Sequence, residues 1–160
     1  MAKQFNTEII MKKIYSKVEP HILLHICYST YKDAFRGVTQ LGKDVVREDL
    51  VPEDQFLQAA HITIKKEGHR FRPHKHIPKA KVGGLVIAQE AWVVLSGKIM
   101  ATFYDLDNSM IRVEILNPGD LSITLQGGHT YEALESNTHV IEFKTGPYEG
   151  QKLDKEFIEE

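Results

Sequence analysis

The chain has 160 residues, 42% of them hydrophobic, and a formal net charge of −2. That length and apolar content suit one domain with a sizeable core, and the balanced charge excludes the basic footprint that binds nucleic acid or an anionic membrane surface, leaving a small molecule or a protein as the expected partner. The single cysteine, Cys27, excludes an intramolecular disulfide and reads as a buried thiol within HILLHICY, while the lack of a secretory signal or a membrane-length apolar run makes the cytoplasm the expected compartment.

In chain order, residues 7 to 18 carry a weak stripe (Ile9, Ile10, Ile14, Tyr15) that suits either a short helix or a strand before Pro20. His21 to Tyr28 is strand-like, and residues 29 to 54, with Gly37, Gly42 and Pro52, read as a long connection holding at most a short strand. Phe56 to Lys66 alternates as a strand, and Glu67-Gly68 turns into a histidine-bearing strand ending at His76. Pro78 and Gly83-Gly84 mark a loop before an apolar strand runs to Leu95. Further strands follow at Lys98 to Tyr104, Met110 to Leu116, LSITL, HTYEALE and HVIEFK, separated by Asp107-Asn108, Asn117-Pro118-Gly119-Asp120, Gly127-Gly128 and Ser136-Asn137. This rhythm predicts an all-β sandwich or jelly roll; no helix is long enough for the crossovers of a parallel sheet. The polar tail GPYEGQKLDKEFIEE reads as a covering loop with a frayed end. The expected organisation is an arm and connection over 1–54, a barrel over 55–148 and a tail over 149–160, within one domain. HILLHICY is more apolar than a solvent-facing strand needs, which predicts a homodimer built partly on the arm.

Chemistry concentrates between Gly68 and His76, GHRFRPHKH. Side chains two apart in a strand share a face, so His74 and His76 point the same way with α-carbons about 7 Å apart, a gap one metal can bridge. A carboxylate and another imidazole from neighbouring strands would complete a mixed N/O site for one divalent first-row metal, and Glu90 and His129 are the candidates. Taken alone, His-x-His is commonly two polar side chains facing solvent. Arg72 shares the histidines' parity and offers a fork for a carboxylate or phosphate, or is simply solvated. Trp92 and Tyr131 share the parity of Glu90 and His129 and form either a substrate-facing aromatic wall or plain core, with the Tyr131 hydroxyl a candidate proton donor. Glu142 and Lys144 fit a pair inside the pocket or an exposed face equally well. His21, His25, His61, His69 and His139 read as surface or locally bonded residues, with His61 the expected neighbour of the site.

Gly68-x5-His74-x-His76 followed by Glu90-x6-Gly97 resembles the first cupin motif, and Gly119-Asp120 leading through Gly127 to His129 resembles the second. More narrowly, RPHKH, EAWVVLSG, GGHTYEALE and EFKTGPYEG with DK are similar to the WbuC-type cupins of bacterial surface-polysaccharide gene clusters, over roughly residues 55 to 157. The resemblance implies a single jelly-roll barrel in which His74, His76, Glu90 and His129 hold iron, manganese, nickel, zinc or copper. The His76 to Glu90 gap is longer than in the usual motif. The second motif lacks its proline and is one residue short, so a slip of register would turn His129 outward. The function expected is a metal-dependent enzyme acting on a small polar substrate such as a sugar or nucleotide sugar. The alternatives are a metal-independent epimerase or ketoisomerase, using a histidine and Tyr131, and a non-catalytic sugar-binding or regulatory protein.

Overall fold

The computed structural model describes residues 11–28, 38–81, 84–86 and 88–159. Its strands in chain order are β1 (Met11–Tyr15), β2 (Leu23–Tyr28), β3 (Val38–Leu41), β4 (Val45–Asp49), β5 (Leu57–Ile64), β6 (His74–His76), β7 (Lys79–Lys81), β8 (Gly84–Val86), β9 (Glu90–Ser96), β10 (Ile99–Tyr104), β11 (Met110–Leu116), β12 (Leu121–Thr124), β13 (Gly128–Ala133), β14 (Thr138–Thr145) and β15 (Lys155–Phe157), with a 3-10 turn at Gln151–Leu153. Two antiparallel sheets dominate, one ordered β11-β10-β13-β6-β15 and the other β12-β9-β14-β5-β4-β3. Strands β1 and β2 pair with each other, as do β7 and β8.

Alternation decides which side chains the two sheets share. Ala60, Ile62 and Ile64 of β5, Trp92 and Val94 of β9 and Val140 of β14 meet Ile99 and Ala101 of β10 and Tyr131 and Ala133 of β13 in one core cluster. Apolar side chains from facing sheets interlock in this way in a jelly roll, which is the architecture the strand rhythm predicts. The same inward parity on β9 and β14 carries Glu90, Glu142 and Lys144, all at most 7% exposed, so polar chemistry continues the core toward one end of the sandwich.

Several expected elements differ. Met11–Tyr15 is a strand, resolving the helix-or-strand alternative there, while residues 7–10 lie outside the described part. The connection of 29–54 holds two strands, β3 and β4, joined around Gly42 at φ 66°. They extend the six-stranded sheet beyond β5, so the expected boundary after residue 54 falls inside that sheet; residues 29–37 lie outside the described part, as does the Cys27 side chain. The tail is no frayed loop, because β15 pairs with β6, setting Lys155 opposite His76 and Phe157 opposite His74. The histidine strand spans only His74–His76; Pro73 has no N–H to give a ladder, which keeps Arg72 outside it.

Gly97 shows how tightly the sheets turn. At φ 77° it makes the corner between β9 and β10, and a Cβ there would meet the Thr138 Cα at 2.8 Å. Gly97→Ala adds left-handed strain and overpacking against backbone, for an expected loss of about 3 kcal/mol. Urea unfolding measures it; a loss below about 1 kcal/mol would mean that the corner relaxes.

Candidate metal centre

The two sheets converge on four side chains. On β6, alternation puts His74 and His76 on one face, and the β13–β6 register sets His129 directly opposite His74. Glu90 enters from the other sheet as the first residue of β9. The ligating atoms of His74, His76, Glu90 and His129 all lie within 4.8 Å of one another. The shortened second motif therefore leaves His129 facing inward, with no exposed surface. Gly128 makes that approach possible, since a Cβ there would lie 2.3 Å from Ile158 Cδ1 and 3.2 Å from the His74 carbonyl.

Each imidazole is held by its outer nitrogen. His74 Nδ1 donates to the Arg72 carbonyl at 2.9 Å and His76 Nδ1 to the Asp154 carbonyl at 3.2 Å, while His129 Nδ1 is 2.8 Å from Thr124 Oγ1. A carbonyl can only accept, so Nδ1 of His74 and of His76 carries a proton and the Nε2 atoms are the ones turned toward the cluster; the Thr124 hydroxyl can accept in the same way. Metal-ligating histidines are oriented by this kind of bond from the far nitrogen. His76 Nε2 is 2.9 Å from Glu90 Oε2, and His129 Nε2 is 3.0 Å from Glu90 Oε1. The second contact lacks hydrogen-bond alignment, leaving His129 Nε2 buried without a hydrogen-bond partner among the described residues.

Electrostatics favours the ligating protonation states. Burial, with the Lys155 ammonium next, pushes His74 down to about 3, which keeps its imidazole neutral. Burial alone would raise the Glu90 carboxyl, but the adjacent His129 and His76 hold it well below the usual carboxylate range. Lone pairs of neutral imidazoles facing a carboxylate at such distances repel unless a proton or cation lies among them. Three nitrogens and one carboxylate, buried and pre-oriented, fit a divalent cation.

Beneath the cluster lies a charged support. Asp154, 1% exposed, receives Lys79 Nζ at 2.8 Å on one carboxylate oxygen and Lys144 Nζ at 2.9 Å on the other. Lys79 also reaches the Pro147 carbonyl at 2.8 Å. Burial opposes the charge on Lys144, and Glu142, Asp154 and Glu90 together outweigh it, so its pKa is raised. In Asp154 the burial penalty is overcome by Lys144 and Lys79, which hold the carboxyl down at about 2.

A cavity of about 440 Å³ has Arg47, Gln58, Glu142, Lys144, Tyr148 and Lys155 in its walls. Lys155 connects it to the cluster, its Nζ 3.4 Å from His74 Nε2. Of the alternatives left open for Glu142 and Lys144, the structure takes the inward one: Glu142 accepts from Arg47 Nη1 at 2.8 Å, and Lys144 pairs with Asp154. Arg72, the expected carboxylate fork, is brought to the surface instead. Its guanidinium meets Glu159 at 2.7 Å and lies over the Phe157 ring. Trp92 and Tyr131 stack on each other with centroids 4.2 Å apart, inside the core rather than in the cavity wall. The Tyr131 hydroxyl is 2.8 Å from Ser122 Oγ, and burial raises its pKa. His61, the expected neighbour, is not part of the cluster. Its odd position on β5 points outward, where it is 2.6 Å from Glu48 and stacks on His139.

The sequence reading missed Asp154, Lys79, Thr124, Arg47 and Lys155 as parts of this centre. Asp154 and Lys155 are the DK of the tail, within the stretch that carries the resemblance, but no spacing rule joins them to His76 across 78 positions.

The fold is that of a cupin jelly roll, and similar solved structures agree on it. KdgF from Halomonas sp. matches with a TM-score of 0.53 at 17% identity, over 68% of this chain and 85% of that one. Oxalate decarboxylase from Lactobacillus farciminis matches with a TM-score of 0.58 at 16% identity, over 80% of this chain and 35% of that one. The capsular polysaccharide assembling protein CapF from Staphylococcus aureus gives a TM-score of 0.62 at 16% identity, over 76% of this chain and 34% of that one. This chain thus spans about a third of the length of the latter two. It matches no protein-family model and no curated protein sequence. No helix among the described residues is long and apolar enough to cross a membrane.

The Asp154 support makes a prediction. Asp154→Asn removes a charge shared by two buried lysines and should cost about 3 kcal/mol near neutral pH. The folded pKa, about 2, lies below the unfolded value of about 3.9. This contribution is therefore complete above pH of about 4 and fades as pH falls through about 2. Urea melts of wild type and variant should differ at about pH 7 and converge near pH 2; equal stability at neutral pH would show that the lysines find other partners.

Proposed function

We propose that this chain is a metal-dependent enzyme acting on a small polar substrate such as a sugar or nucleotide sugar, in the assembly of surface polysaccharide. The observation that carries the metal part is the set of three histidines whose outer nitrogens are tied off while their inner nitrogens converge on Glu90. The polar cavity beside them supports a hydroxylated ligand, and the likeness in fold to CapF, a capsular polysaccharide assembling protein, supports the sugar class. A bound divalent cation supplies Lewis-acid polarisation of a carbonyl or activation of water.

The chain's own residues divide the remaining work. His74, His76, His129 and Glu90 hold the cation, while Arg72 O, Asp154 O and Thr124 fix the ring orientations. The Arg47–Glu142 pair lines the cavity and can hydrogen-bond hydroxyl groups, while the Gln58 amide in the same wall is tied to the Pro52, Glu53 and Gln55 carbonyls. The metal-independent reading relies on Tyr131 as proton donor, and with that hydroxyl buried against Ser122 it loses geometric support. A non-catalytic sugar binder shares the same geometry; ligand stabilisation without turnover would identify it. We propose also that the chain works as a cytoplasmic homodimer built partly on the N-terminal arm, where Leu24 is 54% exposed. Sedimentation showing a monomer at micromolar concentration would remove the dimer.

The decisive measurement is elemental mass spectrometry on untagged wild type and on His74→Ala, His76→Ala, Glu90→Ala and His129→Ala. Wild type should carry about one metal per chain, with each variant losing at least tenfold in metal affinity. Wild-type protein that stays metal-free after reconstitution would overturn the reading.

A further inference from the structure

What the site recognises is written in the charges of its cavity. Most of them are matched within the protein: Arg47 donates to Asp49 and Glu142 at 2.8 Å each, and Lys144 is paired with Asp154. Lys155 differs. Among the described residues its ammonium has no carboxylate partner, and the contact it makes is with His74 Nε2 at 3.4 Å. Its place is not accidental, because the β15–β6 ladder sets Lys155 opposite His76, next to two of the four ligating residues. A cavity-facing ammonium at the rim of the cluster, with no carboxylate among the described residues within ion-pair distance, leaves one cationic group open to an incoming anion.

We infer that the substrate is a small hydroxylated monocarboxylate, a sugar acid or related hydroxy acid, whose carboxylate binds Lys155 beside the metal cluster while its hydroxyl-bearing chain lies along Arg47, Gln58 and Glu142. This rests on the metal reading above and narrows its substrate. The choice of a carboxylate over a phosphate follows from the rest of the wall. Asp49, Glu53 and Glu142 also line the cavity and repel a dianion, and the Arg47 guanidinium is already occupied by two of them. One uncompensated ammonium matches one negative charge. The pre-paired Arg47, Asp49 and Glu142 match neutral hydroxyls, which accept and donate without disturbing the ion pairs. A volume of about 440 Å³ suits a ligand of sugar size.

The test uses matched pairs of probes that differ only in the carboxylate: glycerate against glycerol, and gluconate against glucitol. Binding to zinc-reconstituted full-length protein is measured by calorimetry, with metal content assayed on the same samples, for wild type, Lys155→Met and Lys155→Arg. At least one acid should bind wild type about tenfold or more tighter than its alcohol. Lys155→Met should erase that difference while keeping its metal, and Lys155→Arg should restore most of it. Acids binding no better than alcohols, an undiminished preference in Lys155→Met, or inorganic phosphate displacing the acid at lower concentration would each overturn the inference. Failure of the metal reading looks different: protein without zinc that still prefers acids through Lys155 would uphold the Lys155 assignment and remove the metal.

Discussion

The arrangement around Glu90 constrains everything near it. A carboxylate buried to 3% exposure between two imidazoles 2.9 and 3.0 Å away is tolerable only if opposite charge or strong donors compensate its desolvation. The fold answers by drawing on both sheets. Glu90 comes from the six-stranded sheet and the histidines from the five-stranded sheet, so the cluster forms only when the sandwich closes. The same closure buries Trp92 and Tyr131, stacked one strand position away from Glu90 and His129 along the chain's alternation. Core packing and metal geometry are thus set by the same strand registers, and a slip in either sheet would break both.

The C-terminal segment serves the centre from below. Asp154 binds His76 through its backbone carbonyl and two lysines through its side chain, one from the β7 hairpin and one from β14. It thereby ties three distant stretches of chain to a single ligand. Buried ion pairs are weak sources of net stability but sharp selectors of geometry, and here the geometry selected is the direction of the His76 ring. The long gap between His76 and Glu90, which interrupts the first motif, is used for this purpose: it contains Lys79.

How much of this was legible in the sequence depended on whether a feature was periodic. Alternation in strands located β5, β9, β10, β11, β13 and β14 and put His74 and His76 on one face, because period two fixes facing without knowledge of partners; joining Glu90 and His129 to them took the resemblance to the two cupin motifs. Alternation misplaced Arg72, since Pro73 ends the ladder and parity has no meaning outside it. It also missed that β3, β4 and β15 join the sheets, because short polar strands such as Lys155–Phe157 carry too few residues to show a pattern, and their pairing is set by tertiary contacts. Asp154 and Lys155 were invisible as site residues for the same reason: their roles come from a register with β6 formed across the whole chain.

That register gives the site its asymmetry. On one side of the histidines, Asp154 offers negative charge already claimed by Lys79 and Lys144; on the other, Lys155 presents positive charge that, among the described residues, meets an imidazole rather than a carboxylate. Adjacent residues on either side of a strand boundary thus do opposite things, one neutralising the foundation of the centre and the other presenting an ammonium to the cavity. With Arg47 already paired to Asp49 and Glu142, the carboxylate of the proposed ligand is directed to the Lys155 end of the cavity.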